Sequence, residues 1–336
     1  MLYLICFFIS FAIFFIIASN ARVFDHNILM LVFVVTISNG GYYSISSADS
    51  LETAILGNKL AYVASVFAPM LIFLIICNIC RIKLPSALRS AIFFLQAVIY
   101  VSVCTIGKYP VFYKKVKFGI NDGFGYLTKV YGPFHTLCVV MMIIYMIGGI
   151  VIGLISLNRK NVVSRINVEV LLFSEALAIA VYLIERFVHM KYELLPLVLV
   201  FTMSIILVPL AKIYRYSLYN NSSILDSDKS GTGYIVFDKK LNYMGSNDYA
   251  ASLFPELSEW ELEKKIPGNG GRFNTFLRQP LMSFVNEGGA EDGLTKTYEH
   301  QGETFSCRMN RMLAANKKVI GYYVRITDIT RLINKQ

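Results

Sequence analysis

The sequence predicts a membrane-embedded, all-α bundle of seven helices followed by a small α+β domain with an antiparallel sheet. Of the 336 residues, 55% are hydrophobic. The mean hydropathy of +0.54 is higher than a single water-exposed domain usually shows. Apolar segments of membrane-spanning length recur as far as residue 214, and the chain after residue 230 has the pattern of short strands.

Seven apolar segments are each close to the roughly 20 residues that a helix needs to cross the hydrocarbon core of a bilayer. They are residues 2–19, 28–45, 60–80, 90–107, 134–157, 169–188 and 195–214. The second is the weakest, because Gly40, Gly41 and several serines dilute its end. None shows the alternation of a membrane β-strand, so helices are expected.

The membrane part ends just after the seventh segment. Lys212 and Arg215 follow a long uncharged stretch and are interleaved with tyrosines, as where a helix leaves a bilayer at the headgroup level. A polar run then leads into the first strand. We therefore predict a helical membrane domain at 1–216, a juxtamembrane linker helix at 217–231 and an α+β domain at 232–331.

The net positive charge of the chain comes almost entirely from the membrane part. Residues 1–216 hold 17 Lys and Arg against 8 Asp and Glu, whereas residues 217–336 hold 15 against 14. The basic balance thus belongs to loops beside a bilayer and does not indicate nucleic-acid binding. We interpret 108–130, with five lysines, as a loop that attracts an anionic ligand or peptide or contacts lipid headgroups and solvent. Its lysines also leave the positive-inside rule undecided.

Several polar side chains in the sixth segment are candidates for ligand binding. Glu175 is an acid within a span, which is costly unless it faces the bundle interior or water. It senses a ligand or proton, or is a protonated or hydrogen-bonded structural residue. A second group forms either a pocket near the outer surface or an interfacial charge cluster. It comprises His135 at the start of the fifth segment, and Tyr182, Glu185, Arg186 and His189 at or just after the end of the sixth. Arg186 is the candidate to hold a carboxylate or phosphate.

The polar part has the element order strand, strand, helix, a helix-leaning polar region and three strands. The predicted strands are 233–238, 241–244, 294–299, 304–313 and 319–326. Ser246 or Asn247 caps the helix at 248–254. This order is typical of one small α+β domain with an antiparallel sheet.

Three stretches of this part resemble a PAS domain. They are Gly233-Tyr-Ile-Val-Phe-Asp238, the helix that opens at Asn247 and ends in Leu253-Phe254, and Gly321-Tyr-Tyr-Val-Arg-Ile-Thr-Asp-Ile-Thr330. Seven spans that lead directly into such a domain resemble the N-terminal seven-helix region of sensor histidine kinases and related diguanylate cyclases. The resemblance covers nearly the whole chain.

The resemblance implies a receptor in a bacterial plasma membrane, with the N-terminus outside and a PAS-like domain in the cytoplasm. An extracytoplasmic or membrane-borne cue, a small ligand or peptide, would be relayed through the last helix to this domain, which would act on a separate kinase or cyclase. A homodimer is also implied. The residues expected to carry the relay are Lys212, Arg215, Asp238, Asn247 and Asp328.

The chain departs from the pattern of these enzymes. The residues after Ile329 contain no phosphoacceptor His-Glu box or ATP lid, and Gly288-Gly289-Ala290-Glu291-Asp292 resembles a cyclase signature but falls in a predicted loop. We therefore expect a non-enzymatic signal transducer with no cofactor and no metal. The alternatives are a truncated kinase or cyclase, and a membrane transporter with a soluble regulatory domain.

Overall fold

The structure, a computed structural model, describes most of the chain. The described residues are 1–19, 25–121, 123–158, 164–188, 193–216, 231–268, 271–289, 292–314 and 317–333, without the side chains of 186, 187, 208–210 and 212–215. The predicted linker at 217–231 therefore lies almost wholly outside them. The chain forms two compact units. The first comprises Met1–Ser156 and Asn167–Leu210, and the second Leu157–Ile166 and Ala211–Gln336.

The first unit is built from long helices that coincide with the predicted apolar segments. They are α1 (Leu2–Ser19), α2 (His26–Ser46), α3 (Leu51–Ile79), α4 (Ser86–Cys104), α5 (Pro133–Ser156), α6 (Arg165–Val188) and α7 (Leu195–Arg215). Among the described residues, six are long and apolar enough to cross a membrane; the apolar run of α7 that can be assessed, Leu195–Leu207, is shorter. The α3 helix begins nine residues before the predicted segment, because Ser50 accepts a hydrogen bond from the Thr53 N–H and caps it.

The placement of polar and apolar side chains in this unit is that of a membrane bundle. Large apolar side chains such as Phe15 and Phe94 are exposed on the outside, whereas Asn39, Asn58 and Gln96 are buried between the helices. A water-exposed bundle would have the opposite arrangement, because exposed apolar area is unfavourable in water. The outer faces therefore suit contact with lipid.

Residues 113–131, predicted as part of an irregular loop, form a β-hairpin between α4 and α5. Strands β1 (Tyr113–Asn121) and β2 (Phe124–Tyr131) pair antiparallel, and Tyr113 lies opposite Tyr131. The loop prediction was wrong. The sequence carries a hairpin signal in Asp122-Gly123, because this dipeptide favours the positive φ angles of a tight turn; Gly123 has a φ of +81°.

The second unit contains a five-stranded antiparallel sheet with helices on one face. Its elements are β3 (Thr232–Asp238), β4 (Tyr243–Ser246), α8 (Asp248–Leu253), a 3₁₀ helix (Pro255–Glu259), α9 (Gly271–Asn286), β5 (Leu294–His300), β6 (Glu303–Leu313), β7 (Val319–Asp328) and α10 (Thr330–Ile333). The strands are ordered β4-β3-β7-β6-β5. The predicted element order is confirmed. Strand β4 begins two residues later than predicted, because Asp238 holds a turn in which Leu241 has a φ of +62°.

Aromatic side chains fill the core between this sheet and the helices. Trp260 is fully buried, lies near Phe237, Tyr243 and Phe273, and donates a hydrogen bond from Nε1 to Asn274 Oδ1 at 2.9 Å. Burial of a side chain of this size dominates the stability of a core. Since Trp260 is the single tryptophan of the chain, its fluorescence reports on this unit only.

Candidate functional site

Three elements of the first unit hold the start of α7. The Lys129 ammonium on β2 lies 3.3 Å from a carboxylate oxygen of Glu193, and the Tyr3 hydroxyl on α1 donates to the backbone carbonyl of Glu193 at 3.1 Å. On α6, Glu185 Oε1 accepts from the Leu195 N–H at 2.8 Å and also from the Leu194 N–H. We call Tyr3, Lys129, Glu185 and Glu193 the α7 anchor.

The Glu185 contact has a simple physical basis. The first N–H groups of a helix have no acceptor within the helix, and they carry the positive end of its dipole. A carboxylate from α6 supplies that acceptor for α7. The anchor thus joins the first turn of α7 to the hairpin and to two other helices, through charged and dipolar contacts.

An aromatic cluster borders the anchor on the hairpin side. The His135 ring stacks on Tyr131, with centroids 3.9 Å apart, and lies close to Phe112 and Tyr113. The Lys129 ammonium is 6.0 Å from the centroid of Tyr62. We call Tyr62, Phe112, Tyr113, Tyr131 and His135 the aromatic cluster. Its rings pack beside Lys129, whose side chain is largely buried.

The environment of Lys129 favours its charged form. The Lys129 side chain is 13% exposed and that of Glu193 is 48% exposed. Burial by itself disfavours the ammonium, but the Glu193 carboxylate, followed by Tyr113 and Tyr131, outweighs this and raises the pKa of Lys129 above its usual range. The Lys129 side chain is therefore charged at physiological pH.

Buried polar atoms without a hydrogen-bond partner among the described residues lie in and beside the aromatic cluster. The Asn58 side chain is 1% exposed and that of Tyr113 is 3% exposed. The Tyr113 hydroxyl lies near Asn58 and Tyr62, but neither it nor the Asn58 amide forms a hydrogen bond of good geometry with a described residue. Buried polar groups usually find a partner, so this position suits a polar group of a small ligand or a bound water.

The predicted ligand-binding residues fall into separate places. His135 belongs to the aromatic cluster and Glu185 to the anchor. Tyr182 is half-buried on α6. The Arg186 side chain and all of His189 lie outside the described residues. The ligand-binding role assigned to these residues remains a prediction.

Glu175 is remote from the anchor along α6. It is 4% exposed and packs against Gly149 of α5, where an added Cβ would lie 2.8 Å from Glu175 Oε1. Its Oε2 atom has no hydrogen-bond partner among the described residues. Gly149 thus provides the space for this acid, and whether Glu175 has a sensory or a structural role remains open.

The sequence interpretation missed the centre of the anchor. Lys129 was counted as one lysine of the predicted loop, and Glu193 was not singled out. A sequence signal existed for Glu193, because an acid directly before an apolar helix favours the helix start. The partnership with Lys129, 64 residues earlier, has no local signal.

Comparison with known proteins identifies the family. Residues 2–221 match the family described as the N-terminal 7TM region of histidine kinase. The chain belongs to this family. It is accordingly a multi-pass membrane protein and a membrane sensor, and the anchor lies within its histidine-kinase-type sensor region.

Two further comparisons complete the picture. A solved structure, the sensor region of a sensor histidine kinase, is similar at 15% sequence identity with a TM-score of 0.23. The similarity covers 39% of this chain and 52% of that one, so it spans about half of the solved chain. No curated protein matches this chain.

Two residues proposed for signal relay form tight turns at the ends of strands. Asp238 accepts from the backbone N–H groups of Lys240 and Asn242, both at 2.8 Å, and shapes the β3–β4 turn. Asp328 accepts from the Thr330 N–H at 2.8 Å and from its hydroxyl at 2.6 Å, where α10 begins. These bonds, from the Thr330 hydroxyl and then from its N–H, lower the pKa of Asp328. The side chains of Lys212 and Arg215 lie outside the described part of the chain.

Another residue proposed for signal relay, Asn247, joins α8 to β3. Its Oδ1 accepts from Ala250 N at 3.0 Å, which confirms the predicted helix cap, and from Tyr234 N at 2.9 Å. Its Nδ2 donates to the Thr232 carbonyl at 2.8 Å. One side chain thus satisfies groups of two elements. Whether these residues relay a signal remains a prediction.

We expect Asn247→Ala to destabilise the second unit by about 2 kcal/mol, because it removes a helix cap and two bonds to β3. Asn247→Asp is the matched control, since it keeps the acceptor and loses only the donor to Thr232. The loss of stability in Asn247→Asp should be smaller than in Asn247→Ala. Unfolding followed by Trp260 fluorescence measures the stability of both variants. Equal stability of wild type and Asn247→Ala would contradict the assigned role.

Proposed function

We propose that this protein is a membrane signal receptor whose α7 anchor responds to an extracytoplasmic or membrane-borne cue. The N-terminus and the hairpin face the outside, α7 crosses as the seventh span, and the second unit is a cytoplasmic PAS-type domain that acts on a partner protein. The chemical step of signalling belongs to that partner.

The observation that carries this proposal is the way α7 is held. Its first turn is fixed by an ion pair from the hairpin and a carboxylate from α6, whereas its last residues belong to the second unit. A ligand that favours one arrangement of the anchor over another shifts the position of α7, because only differential affinity can move such an equilibrium. Within the described part of the chain, α7 is the helix that starts at the anchor and ends in the second unit.

The architecture of the second unit supports the PAS-type assignment. Its strands, numbered within the unit, have the order 2-1-5-4-3, and its helices cover one face. At the end of α7, Tyr216 donates a hydrogen bond to the Ile320 carbonyl at 3.0 Å and packs with Tyr234 and Val236 on the sheet face opposite the core. A displacement of the end of α7 would therefore be felt directly by β3 and β7.

The test is to purify the full chain from its native membrane and identify the proteins that accompany it. We expect a protein with a kinase or cyclase domain, and we expect its activity to differ between wild type and Lys129→Met, in which the anchor is broken. Lys117→Met is the matched control, because Lys117 is an exposed lysine of the same hairpin. An associated enzyme with the same activity in all three preparations would refute signalling through the anchor.

A second candidate follows from the family, whose members are N-terminal regions of histidine kinases. Here the residues described would be the sensory part of a longer kinase or cyclase. The apparent mass of the native protein on an immunoblot separates the two cases. A product much larger than these 336 residues favours the second.

A further inference from the structure

Two arginines lie directly opposite each other in the sheet of the second unit. Arg308 on β6 and Arg325 on β7 are register partners, so their Cβ atoms are about 5 Å apart. Their neighbours along each strand, Cys307 with Met309 and Val324 with Ile326, belong to the core. Because successive side chains alternate between the faces of a sheet, both arginines lie on the face away from the core. We call this the outer sheet face.

The pair is electrostatically unfavourable as it stands. Like charges directly opposite each other destabilise a sheet. Among the residues that the structure describes, no ion pair joins either arginine to a carboxylate. Arg308 donates from one Nη to the Asp292 backbone carbonyl at 2.7 Å. The Nε atoms of Arg308 and Arg325 are both buried and have no hydrogen-bond acceptor among the described residues.

Two tyrosine side chains, Tyr234 and Tyr323, lie beside the pair. Tyr323, two residues before Arg325, packs near Tyr234, with ring centroids 6.4 Å apart. Burial raises the pKa of Tyr323 against the opposing effect of the two arginines, so its hydroxyl remains protonated and able to donate. Both arginines are half-buried residues, neither fully enclosed nor fully exposed.

We propose that Arg308 and Arg325 form a binding site for a phosphate group, carried by inorganic phosphate or by a small phosphate ester. Two guanidinium groups on adjacent strands supply a charge of +2, which a phosphate dianion neutralises. The planar donor fork of arginine matches the oxygens of phosphate, and charge-assisted bonds of this kind are strong. The anion would also relieve the repulsion between the two arginines. The geometry and charge that point to this site do not rest on the proposed signalling through α7.

The buried Trp260 allows the proposal to be tested in the intact protein, because its fluorescence follows only the second unit. Thermal unfolding of the detergent-solubilised full chain would be compared in phosphate and in chloride at equal ionic strength and mildly alkaline pH. The variants are Arg308→Gln and Arg325→Gln. The matched control is Arg278→Gln, an exposed arginine of α9, the helix that packs on the opposite face of the sheet.

We expect phosphate to raise the unfolding midpoint of wild type and of Arg278→Gln by the same amount, because a ligand that binds only the folded state stabilises it. Loss of either arginine should weaken phosphate binding by about tenfold or more, and the rise should largely disappear. In chloride, Arg325→Gln should unfold at the same midpoint as wild type or higher, because the repulsion is removed.

Two results would overturn the proposal. One is a wild-type midpoint that is the same in phosphate and chloride. The other is an equal rise in wild type and in both variants. Each variant's transition in chloride shows whether it folds, and either arginine variant is sufficient for the test. Titration with a small phosphate monoester, compared with inorganic phosphate, then distinguishes the two sources of the group by their affinities.

Discussion

Lys129→Met should destabilise the helical unit by about 2 kcal/mol, a value between those of exposed pairs and of fully buried pairs. The lysine is 13% exposed and its partner Glu193 is 48% exposed, so water screens only one side of the pair. Glu193→Gln should cost less, because the amide can still accept a hydrogen bond from Lys129. The measurement is unfolding of the detergent-solubilised chain followed by far-UV circular dichroism.

A double-mutant cycle with both substitutions isolates the pair. We expect the double variant to be more stable than the sum of the single effects predicts, because the two side chains are in contact. Lys117→Met on the same hairpin is the control and should have little effect. A cycle in which the two effects simply add would show that Lys129 and Glu193 do not interact in solution.

The pH dependence of this pair follows from the direction of the Lys129 shift. The pKa of Lys129 is raised in the folded state, so its contribution is complete below the ordinary lysine value of about 10.4 and is lost as the pH rises through the folded value. The stability difference between wild type and Lys129→Met should therefore be the same at mildly acidic and mildly alkaline pH. A difference that shrinks in this range would contradict the assignment.

Gly41→Ala should destabilise the helical unit by about 3 kcal/mol, the upper end for overpacking a well-packed core. A Cβ at Gly41 would lie 2.3 Å from the Ala61 backbone nitrogen and 2.6 Å from the Gly57 carbonyl oxygen. Backbone atoms cannot rotate away, so α2 and α3 would have to separate. This would also strain the bond from Ser38 Oγ to the Ala61 carbonyl, which is 2.7 Å long.

The adjacent glycine provides the control for this prediction. A Cβ at Gly40 would meet only the Phe7 ring, at 3.3 Å, which is a side chain able to adjust. Gly40→Ala should therefore be near neutral. The two variants differ by one position in the same helix, so helix propensity does not separate them. Equal stability of the two would show that α2 and α3 are not so closely packed.

The sequence by itself determined the long helices of the membrane part and the order of the strands in the second unit, but not the hairpin between α4 and α5. Apolar length located the helices of the membrane part, because the bilayer sets a similar requirement for each span independently of its neighbours. Alternation and turn residues located the strands of the second unit, and residue type and position alone limited the helix cap to Ser246 or Asn247. These are local properties, encoded within a few residues.

Only the tertiary structure decided which side chains meet. His135 and Glu185 were candidates, but the ion pair of the anchor, Lys129 with Glu193, joins residues 64 positions apart. Likewise, Arg308 and Arg325 become neighbours through strand register. A charge has the same appearance in a sequence whether it faces solvent, closes a helix end or opposes a like charge. Its energetic role depends on distance and burial, which packing alone sets.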